Sequence, residues 1–456
     1  MVLATQHLTM FEVFTMYSLL VYCIVLLAIA SDALLLQKID NDARNVKTKN
    51  ASAVADIWAL LVAGSDTWMN YRHQADVCHA YQILRAHGVP DDHIVVMMTD
   101  DIAHNNNNPT PGVIINKPNG TNVYPNVPRD YTGKEVTVEN FLNIIQGNKE
   151  AMRGIGSGKV IESGPDSFVF VNLVDHGAPG IFAFPEEFMH AKQLIEAIEA
   201  MHSKQRYHQM VFYVEACESG SLFDGLLSPN INVYATTAAN PKENSFACYY
   251  DAELETYLGD VYSVKWMEDV DKLGTDETLR KQYWQVKEET KTSHVMHYGN
   301  LYMGWDSVSR FMGSKSANTA NNDAPKKPCE DAVASGDVPV AILTNRIMAA
   351  TDEAVKAKLE KQLSEELELR ENIRSVVKKI ASKVITASEQ LTGVLEDKSL
   401  PRNFDCIEDT VKLFSERCFN INKVDYAMRH LYVLVNLCEV ADMDQSKLED
   451  AIKTIC

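Results

Sequence analysis

A chain of 456 residues can bury one large core and still carry a second domain, and its 46% apolar, 23% charged composition excludes wholesale disorder. The formal charge of −19 excludes a non-specific binder of nucleic acid or anionic membrane, because both need a positive surface. It suits a protein at work in an acidic compartment, where protonated carboxylates relieve self-repulsion.

From Tyr17 to Ala30 the chain is a short apolar run ending in Ala28-Ile29-Ala30, the small-x-small pattern of a signal-peptide cleavage site. The run is too short for a comfortable membrane span. No Lys or Arg precedes Lys38, so the basic n-region is missing and an uncleaved anchor is the alternative. The expected order is a signal peptide over 1–30 and an N-terminal pro-segment over 31–56. Two acceptor sequons, at Asn50 and Asn119, agree with the secretory pathway. No other segment is apolar and long enough to cross a bilayer, so no span is expected after signal removal.

Residues 57–313 alternate strand-length apolar runs with amphipathic stretches. The runs are Trp58–Ala63, Ile94–Met98, Phe168–Val174, Met210–Val214 and Ile231–Ala235. Their weak alternation is what a sheet covered on both faces requires. Gln74–Ala86 and Met189–His202 have helical spacing. Strands alternating with helices predict an α/β domain with a mostly parallel sheet between helical layers.

Composition then shifts. Ser314 to Pro339 holds little to bury and reads as a linker, part of a linker and activation segment over 314–350. Residues 351–456 carry helical patterns at Thr351–Ser388 and Tyr426–Cys438. Cys406, Cys418, Cys438 and Cys456 cluster there, as in a small domain stapled by two disulfides. Four cysteines allow three connectivities. Of the other cysteines, Cys23 lies in the signal, while Cys78, Cys217, Cys248 and Cys329 are scattered with no CxxC pair to suggest zinc. Cys329 reads as an extra thiol in the linker. No metal or cofactor is called for.

The chemistry gathers at two strand ends. Phe168–Val174 runs into Asp175-His176-Gly177, and Met210–Val214 runs into Glu215-Ala216-Cys217-Glu218-Ser219-Gly220. Ligands of open parallel sheets sit beyond the carboxyl ends of strands. A thiol with a reference pKa of about 8.5 needs a neighbouring imidazole to take its proton and return it to a leaving amine. Gly177 would let a backbone N–H approach an oxyanion beside the N–H of Cys217. Taken singly, a strand-end Cys is ordinarily a small buried hydrophobe and a His-Gly an ordinary turn.

The blocks Asn70-Tyr71-Arg72-His73-Gln74-Ala75-Asp76, Asp175-His176-Gly177, Glu215-Ala216-Cys217-Glu218-Ser219-Gly220-Ser221 and Tyr234-Ala235-Thr236-Thr237-Ala238-Ala239-Asn240-Pro241 resemble the signature blocks of the legumain family of asparaginyl endopeptidases. So do Gly64-Ser65, Ser293–Met296 and Tyr298–Asn300. The tail resembles the family's helical C-terminal prodomain. The resemblance implies a caspase-like α/β/α sandwich with a mostly parallel central sheet, made as a zymogen.

It implies further a cysteine endopeptidase cutting after Asn, or after Asp at acidic pH, through an acyl-enzyme on Cys217. His176 is then the base, Asn70 orients it, and Arg72, His73, Glu215, Asn244 and Asp260 line the specificity pocket. A carboxamide offers one acceptor oxygen and one NH₂ donor, so a cation beside carboxylates makes chemical sense. The implied pairing is Cys406–Cys438 with Cys418–Cys456. The implied partners are protein and peptide substrates, the chain's own prodomain as inhibitor, and cystatin-type inhibitors; the implied location is lysosome, vacuole or extracellular space. Two other readings are an asparaginyl peptide ligase and a catalytically silent binding module.

Three departures stand out. Asn244 replaces a frequent Ser, Gln146-Gly147-Asn148 replaces the RGD of some animal members, and Ala349 stands at the usual maturation position. Asn345, Asn321 or Asn322 would then serve as the cleavage site.

Overall fold

The longest apolar runs become strands, and the computed structural model describes them within residues 56–314, 329–440 and 444–456. The signal peptide, nearly all of the pro-segment, Asn50, Asn321 and Asn322 lie outside the described residues. The strands are β1 (Ile57–Ala63), β2 (Ile94–Met97), β3 (Phe168–Val174), β4 (Gly177–Ala178), β5 (Ile181–Ala183), β6 (Phe188–His190), β7 (Gln209–Glu215), β8 (Val233–Thr237), β9 (Phe246–Asp251), β10 (Thr256–Asp260), β11 (Met296–Gly299) and β12 (Val333–Ala334). Six of them form one sheet in the order β11-β8-β7-β3-β1-β2. All pairings in it are parallel except that of the edge strand β11 with β8.

The helices of the first part are α1 (Tyr71–Ala86), α2 (Val138–Ile145), α3 (Ala191–Ser203), α4 (Val261–Leu273), α5 (Leu279–Glu289) and α6 (Ser309–Met312). Leu60 and Val62 of β1 join a core with Phe141 of α2 and Leu194 of α3. Ala59 and Leu61 join a second core with Ala75 of α1, Met267 of α4 and Tyr283 of α5. Burying a Leu or Val side chain contributes about 1.5–3 kcal/mol. Covering both faces therefore turns an unbroken apolar run into a stable central strand. The expected α/β/α sandwich is what forms.

The tail is helical, with α7 (Val338–Ala349), α8 (Glu353–Val384), α9 (Ser388–Glu396), α10 (Phe404–Arg417), α11 (Leu431–Glu439) and α12 (Gln445–Ile455). The Asp352 side chain caps α8 by accepting from Val355 N at 2.9 Å. Disulfides join Cys406 to Cys438 and Cys418 to Cys456, with Cα separations of 5.8 and 4.9 Å. The tail's core includes Ala178, Ile181 and Ala183 of β4 and β5, so it packs directly on the first part.

Three expectations need correction. Cys329 is not a spare thiol: it is bonded to Cys248 of β9, with the Cα atoms 5.6 Å apart. The stretch ending at Pro339 is not wholly a linker, because β12 pairs with β9 and α7 already begins at Val338. Tyr426–Cys438 is not one helix but a 3₁₀ segment, Asp425–His430, followed by α11.

Candidate active site

Where strand order reverses, between β1 and β3, three consecutive strand ends gather the chemistry-bearing residues. Gly64-Ser65 leaves β1, Asp175-His176 leaves β3, and Ala216-Cys217 leaves β7. A Cβ on Gly64 would collide with Ala183 O and the Asp175 carboxylate, so only glycine allows that convergence. A Cβ on Gly177 would collide with the carbonyl oxygen of Cys217. The His176-Gly177 turn therefore lies directly against the cysteine. β7 ends at Glu215, so Cys217 sits on a turn, not on an extended strand, and Glu218 after it is left-handed with φ 49°.

The His176 ring is held through Nε2, which lies 2.9 Å from Asn70 Oδ1 and 3.3 Å from an Asp425 oxygen. Asn70 Nδ2 donates to Asp66 O at 3.1 Å, which fixes the amide so that its oxygen faces the ring. Two acceptors on Nε2 require the proton there and leave Nδ1 for other partners. Burial opposes a charge on His176, but the Asp425 carboxylate outweighs it and raises its pKa. Cys217 Sγ accepts from Ser245 N at 3.3 Å and lies 3.6 Å from Ser245 Oγ. Burial, helped by the Glu218 carboxylate, pushes this thiol up to about 12, so beneath the tail it is a thiol and not a thiolate.

In the first turn of α1, Arg72 is fully buried. Its Nε donates to Asp260 Oδ1 at 2.8 Å, and its Nη groups reach Met69 O at 3.1 Å and Ser335 Oγ at 3.4 Å. Glu215 Oε2 accepts from Ser263 N at 2.8 Å and Ser263 Oγ at 3.0 Å. Asp260 Oδ2 and Glu215 Oε1 are buried without hydrogen-bond partners. Buried acceptors of that kind cost free energy unless a ligand supplies donors. Burial raises both carboxyls; Asp260 raises Glu215 further, while the Arg72 guanidinium draws Asp260 part of the way back.

His73 packs edge-on against His176 with ring centroids 5.0 Å apart. Its Nδ1 lies 2.6 Å from Ser65 Oγ and 3.2 Å from Asp175 Oδ1. His73, Asp175 and His176 could together offer ligand atoms within 4.8 Å of one another. His73 Nδ1 and His176 Nε2 are already engaged by oxygens, so the cluster acts as a support for the histidine. Asn244 is half-buried in the loop before β9, next to Ser245, and no hydrogen bond joins it to the pocket among the described residues. Asn119 is exposed on a left-handed turn with φ 56°.

The tail closes over this site. Besides Asp425 on His176, Lys398 pairs with Glu218, and Lys423 Nζ lies 2.7 Å from Glu186. His176 and Cys217 are each only 7% exposed. Sequence reasoning did not find Ser245, Ser263, Ser335 or Asp425. Their roles come from contacts across long sequence separations, which no local pattern carries.

Residues 57–314 match the family described as Peptidase C13, and residues 361–456 match the one described as Legumain, prodomain. Human legumain is 49% identical over 387 residues, 84% of this chain and 89% of that protein. Hemoglobinase of Schistosoma japonicum is 41% identical over 402 residues, 88% and 92% of the two chains. A vacuolar-processing enzyme of Citrus sinensis is 39% identical over 428 residues, 89% and 85%. Caspase-1 of Spodoptera frugiperda superposes with a TM-score of 0.31 at 12% identity, over 52% of this chain and 78% of that one, a likeness too slight to carry an argument.

Proposed function

The chain belongs to the peptidase C13 family of cysteine endopeptidases and carries a legumain-type prodomain, and from that premise we propose that it cuts peptide bonds after asparagine, with Cys217 as nucleophile and His176 as base. Once the tail is withdrawn, His176 takes the Cys217 proton and Sγ attacks the substrate carbonyl. The backbone N–H groups of Gly177 and Cys217 stabilise the oxyanion. His176 then gives its proton to the departing amine, leaving a thioester. Water, deprotonated by the same imidazole, hydrolyses the thioester and frees the new carboxyl end.

The observation that carries the specificity is the pair of unpartnered buried oxygens, Asp260 Oδ2 and Glu215 Oε1, beside the Arg72 guanidinium. A side-chain carboxamide satisfies all three, giving its NH₂ to the carboxylates and its oxygen to Arg72. Glutamine places the same group one methylene too deep.

On this reading the chain is a zymogen with a peptidase domain over 57–313, an activation segment over 314–350 and an inhibitory tail over 351–456. It passes through the secretory pathway to lysosome or vacuole, carries glycan at Asn119, and meets cystatin-type inhibitors. Asn345, on α7, is the proposed activation cleavage site.

The test is turnover of a fluorogenic Ala-Ala-Asn peptide after acid incubation, beside Cys217→Ala. Turnover that needs Cys217 and vanishes with Gln in place of Asn is expected. Equal turnover of the two peptides would overturn the pocket assignment. No turnover after confirmed loss of the tail would overturn the catalytic one.

A further inference from the structure

We infer that Asp76 is a positioning residue of the specificity pocket, acting through Asp260; this rests on the pocket reading above. Asp76 follows Arg72 by one turn of α1 and is fully buried. Its Oδ2 accepts from the backbone N–H of Asp260 at 3.2 Å, and its Oδ1 accepts from Asn116 Nδ2 at 2.6 Å. The same Asn116 amide donates to Leu258 O at 2.9 Å. One carboxyl thus holds the last residues of β10, Asp260 directly and Leu258 through the Asn116 amide. A Cβ on Gly259 would stand 2.9 Å from Asn116 Nδ2 and 3.1 Å from Asp76 Oδ1, so the approach depends on glycine. The clamp fixes Asp260 with Oδ1 on Arg72 and Oδ2 without a hydrogen bond, 3.6 Å from His73 Nε2. Burial, with Asp260 and Glu215 nearby, raises the Asp76 carboxyl well above its usual range.

The test compares Asp76→Ala, Asp76→Asn and Gly259→Ala in the acid-activated full chain, with active sites counted by stoichiometric alkylation of Cys217. Asparagine keeps the shape of the side chain but only one of its two acceptor oxygens. We expect Asp76→Ala and Gly259→Ala to raise KM for Ala-Ala-Asn about tenfold, with kcat per active site within about threefold. Asp76→Asn, with one acceptor left, should raise KM less than Asp76→Ala does. An unchanged KM in the alanine variants, or equal loss in Asp76→Asn, overturns the inference. A wild type that turns over Asn and Gln peptides alike would instead overturn the pocket reading.

A separate observation carries a second inference: we propose that the Cys248–Cys329 disulfide is a thiol-operated latch that keeps residues 329–337 over the cleft after the tail is cut away. It too rests on the peptidase reading. Beyond Cys329, the Asp331 carboxylate accepts from Tyr249 N at 3.1 Å and Tyr250 N at 2.7 Å. β12 adds to β9 through Val333–Ala247 and Ala334–Phe246, and Ser335 N donates to Ser245 O at 3.0 Å. Ser335 Oγ then lies 3.4 Å from both Arg72 Nη2 and Ser245 Oγ, one residue's reach from Cys217. An added strand of this kind competes with any extended substrate for the same edge.

Cleavage at Asn345 leaves residues 329–337 on the backbone of the peptidase domain, and the disulfide shortens that tether to a fixed point on β9, so the segment keeps a high local concentration at the cleft. Cys329 is half-buried and lines a cavity of 540 Å³ beside Lys265, open to a small reductant. A thiolate of a dithiol attacks one sulfur, its second thiol resolves the mixed disulfide, and the reductant leaves oxidised while Cys248 and Cys329 become thiols.

Wild type and Cys329→Ser, both acid-activated without reductant, decide it. The variant should be about tenfold or more the more active, and a dithiol should bring wild type level with it. Non-reducing mass measurement of a tryptic digest should find the Cys329 peptide joined to the Cys248 peptide in wild type. Both carry the same Cys217, so oxidation of the nucleophile lowers both alike. Equal activity without reductant, or Cys248 open to alkylation in unreduced wild type, overturns the latch. Silence of both proteins after reduction would overturn the peptidase reading instead.

Discussion

Asp425 occupies the hydrogen-bonding edge of the His176 ring that Asn70 shares, and it is the tail's most intimate contact with the chemistry. Its carboxyl is lowered: burial alone would raise it, but His176 and Asn70 hold it charged. A depressed carboxylate contributes stability present above its free value of about 3.9 and lost as pH falls through its bound value. The raised His176 contributes stability present below about 6.5 and lost as pH rises through its bound value. The pair therefore strengthens the closed tail most between these limits. Asp425→Asn should speed Cys217 alkylation in the uncut zymogen by roughly ten- to a hundredfold near pH 5.5, the loss of one charge-assisted hydrogen bond of about 1.5–3 kcal/mol. Near pH 8 the effect should shrink. An effect equal at both pH values would refute the account.

At the scale of elements, the five parallel strands were legible because each is a strand-length apolar run buried on both faces, as Leu60 and Leu61 show from opposite cores. The antiparallel strands β9, β10 and β11 were not, because Thr256–Asp260 and Met296–Gly299 have neither an apolar run nor strict alternation. The docking of residues 329–337 was hidden for a different reason. Its stability comes from one disulfide and from side chains far away in sequence, above all Arg370 of α8. That guanidinium, only 4% exposed, donates to Asp337 Oδ1 at 2.7 Å, Glu366 Oε1 at 2.7 Å and Gly336 O at 2.8 Å, and stacks 4.2 Å over Tyr426. Arg429 reaches the other Asp337 oxygen at 2.9 Å. Arg370→Ala leaves Asp337 half-paired and should weaken the docking of the tail by about 2–3 kcal/mol, less than a fully buried pair because Asp337 is partly exposed. In a Cys329→Ser background, where no disulfide holds the segment, the uncut variant should cleave Ala-Ala-Asn measurably at neutral pH while keeping the far-ultraviolet signal of its helices. Neutral silence equal to wild type would show that Arg370 does not hold the segment down.

For the molecule as a whole, buried ionisable groups set where it is most stable. Burial raises Asp269 to about 8, Asp175 to about 7 and Glu218 to about 6, and pushes Asp76 and Glu215 up as well. A carboxyl with a raised folded value binds its proton more tightly in the native state. Stability therefore rises as pH falls, by up to about 1.4 kcal/mol per pH unit for each such group, until its unfolded value near 4 is reached. Buried histidines oppose this. His73, His190, His297 and His430 are lowered by burial, so acid costs stability once pH drops below their unfolded value of about 6.5. Between pH 8 and 6.5 the carboxyls act, joined by the raised His176, and below 6.5 the carboxyls and the lowered histidines pull against each other. The thermal midpoint of the uncut Cys217→Ala chain should thus climb by a few degrees from pH 8 to 6.5 and then flatten toward pH 5. A midpoint that falls between pH 8 and 6.5 would mean that the buried carboxyls are charged in the native state. The Arg72 pocket would then hold its carboxylates unprotonated, and its preference for a neutral amide would be electrostatic, since charged oxygens accept from an NH₂ and repel an aspartate side chain.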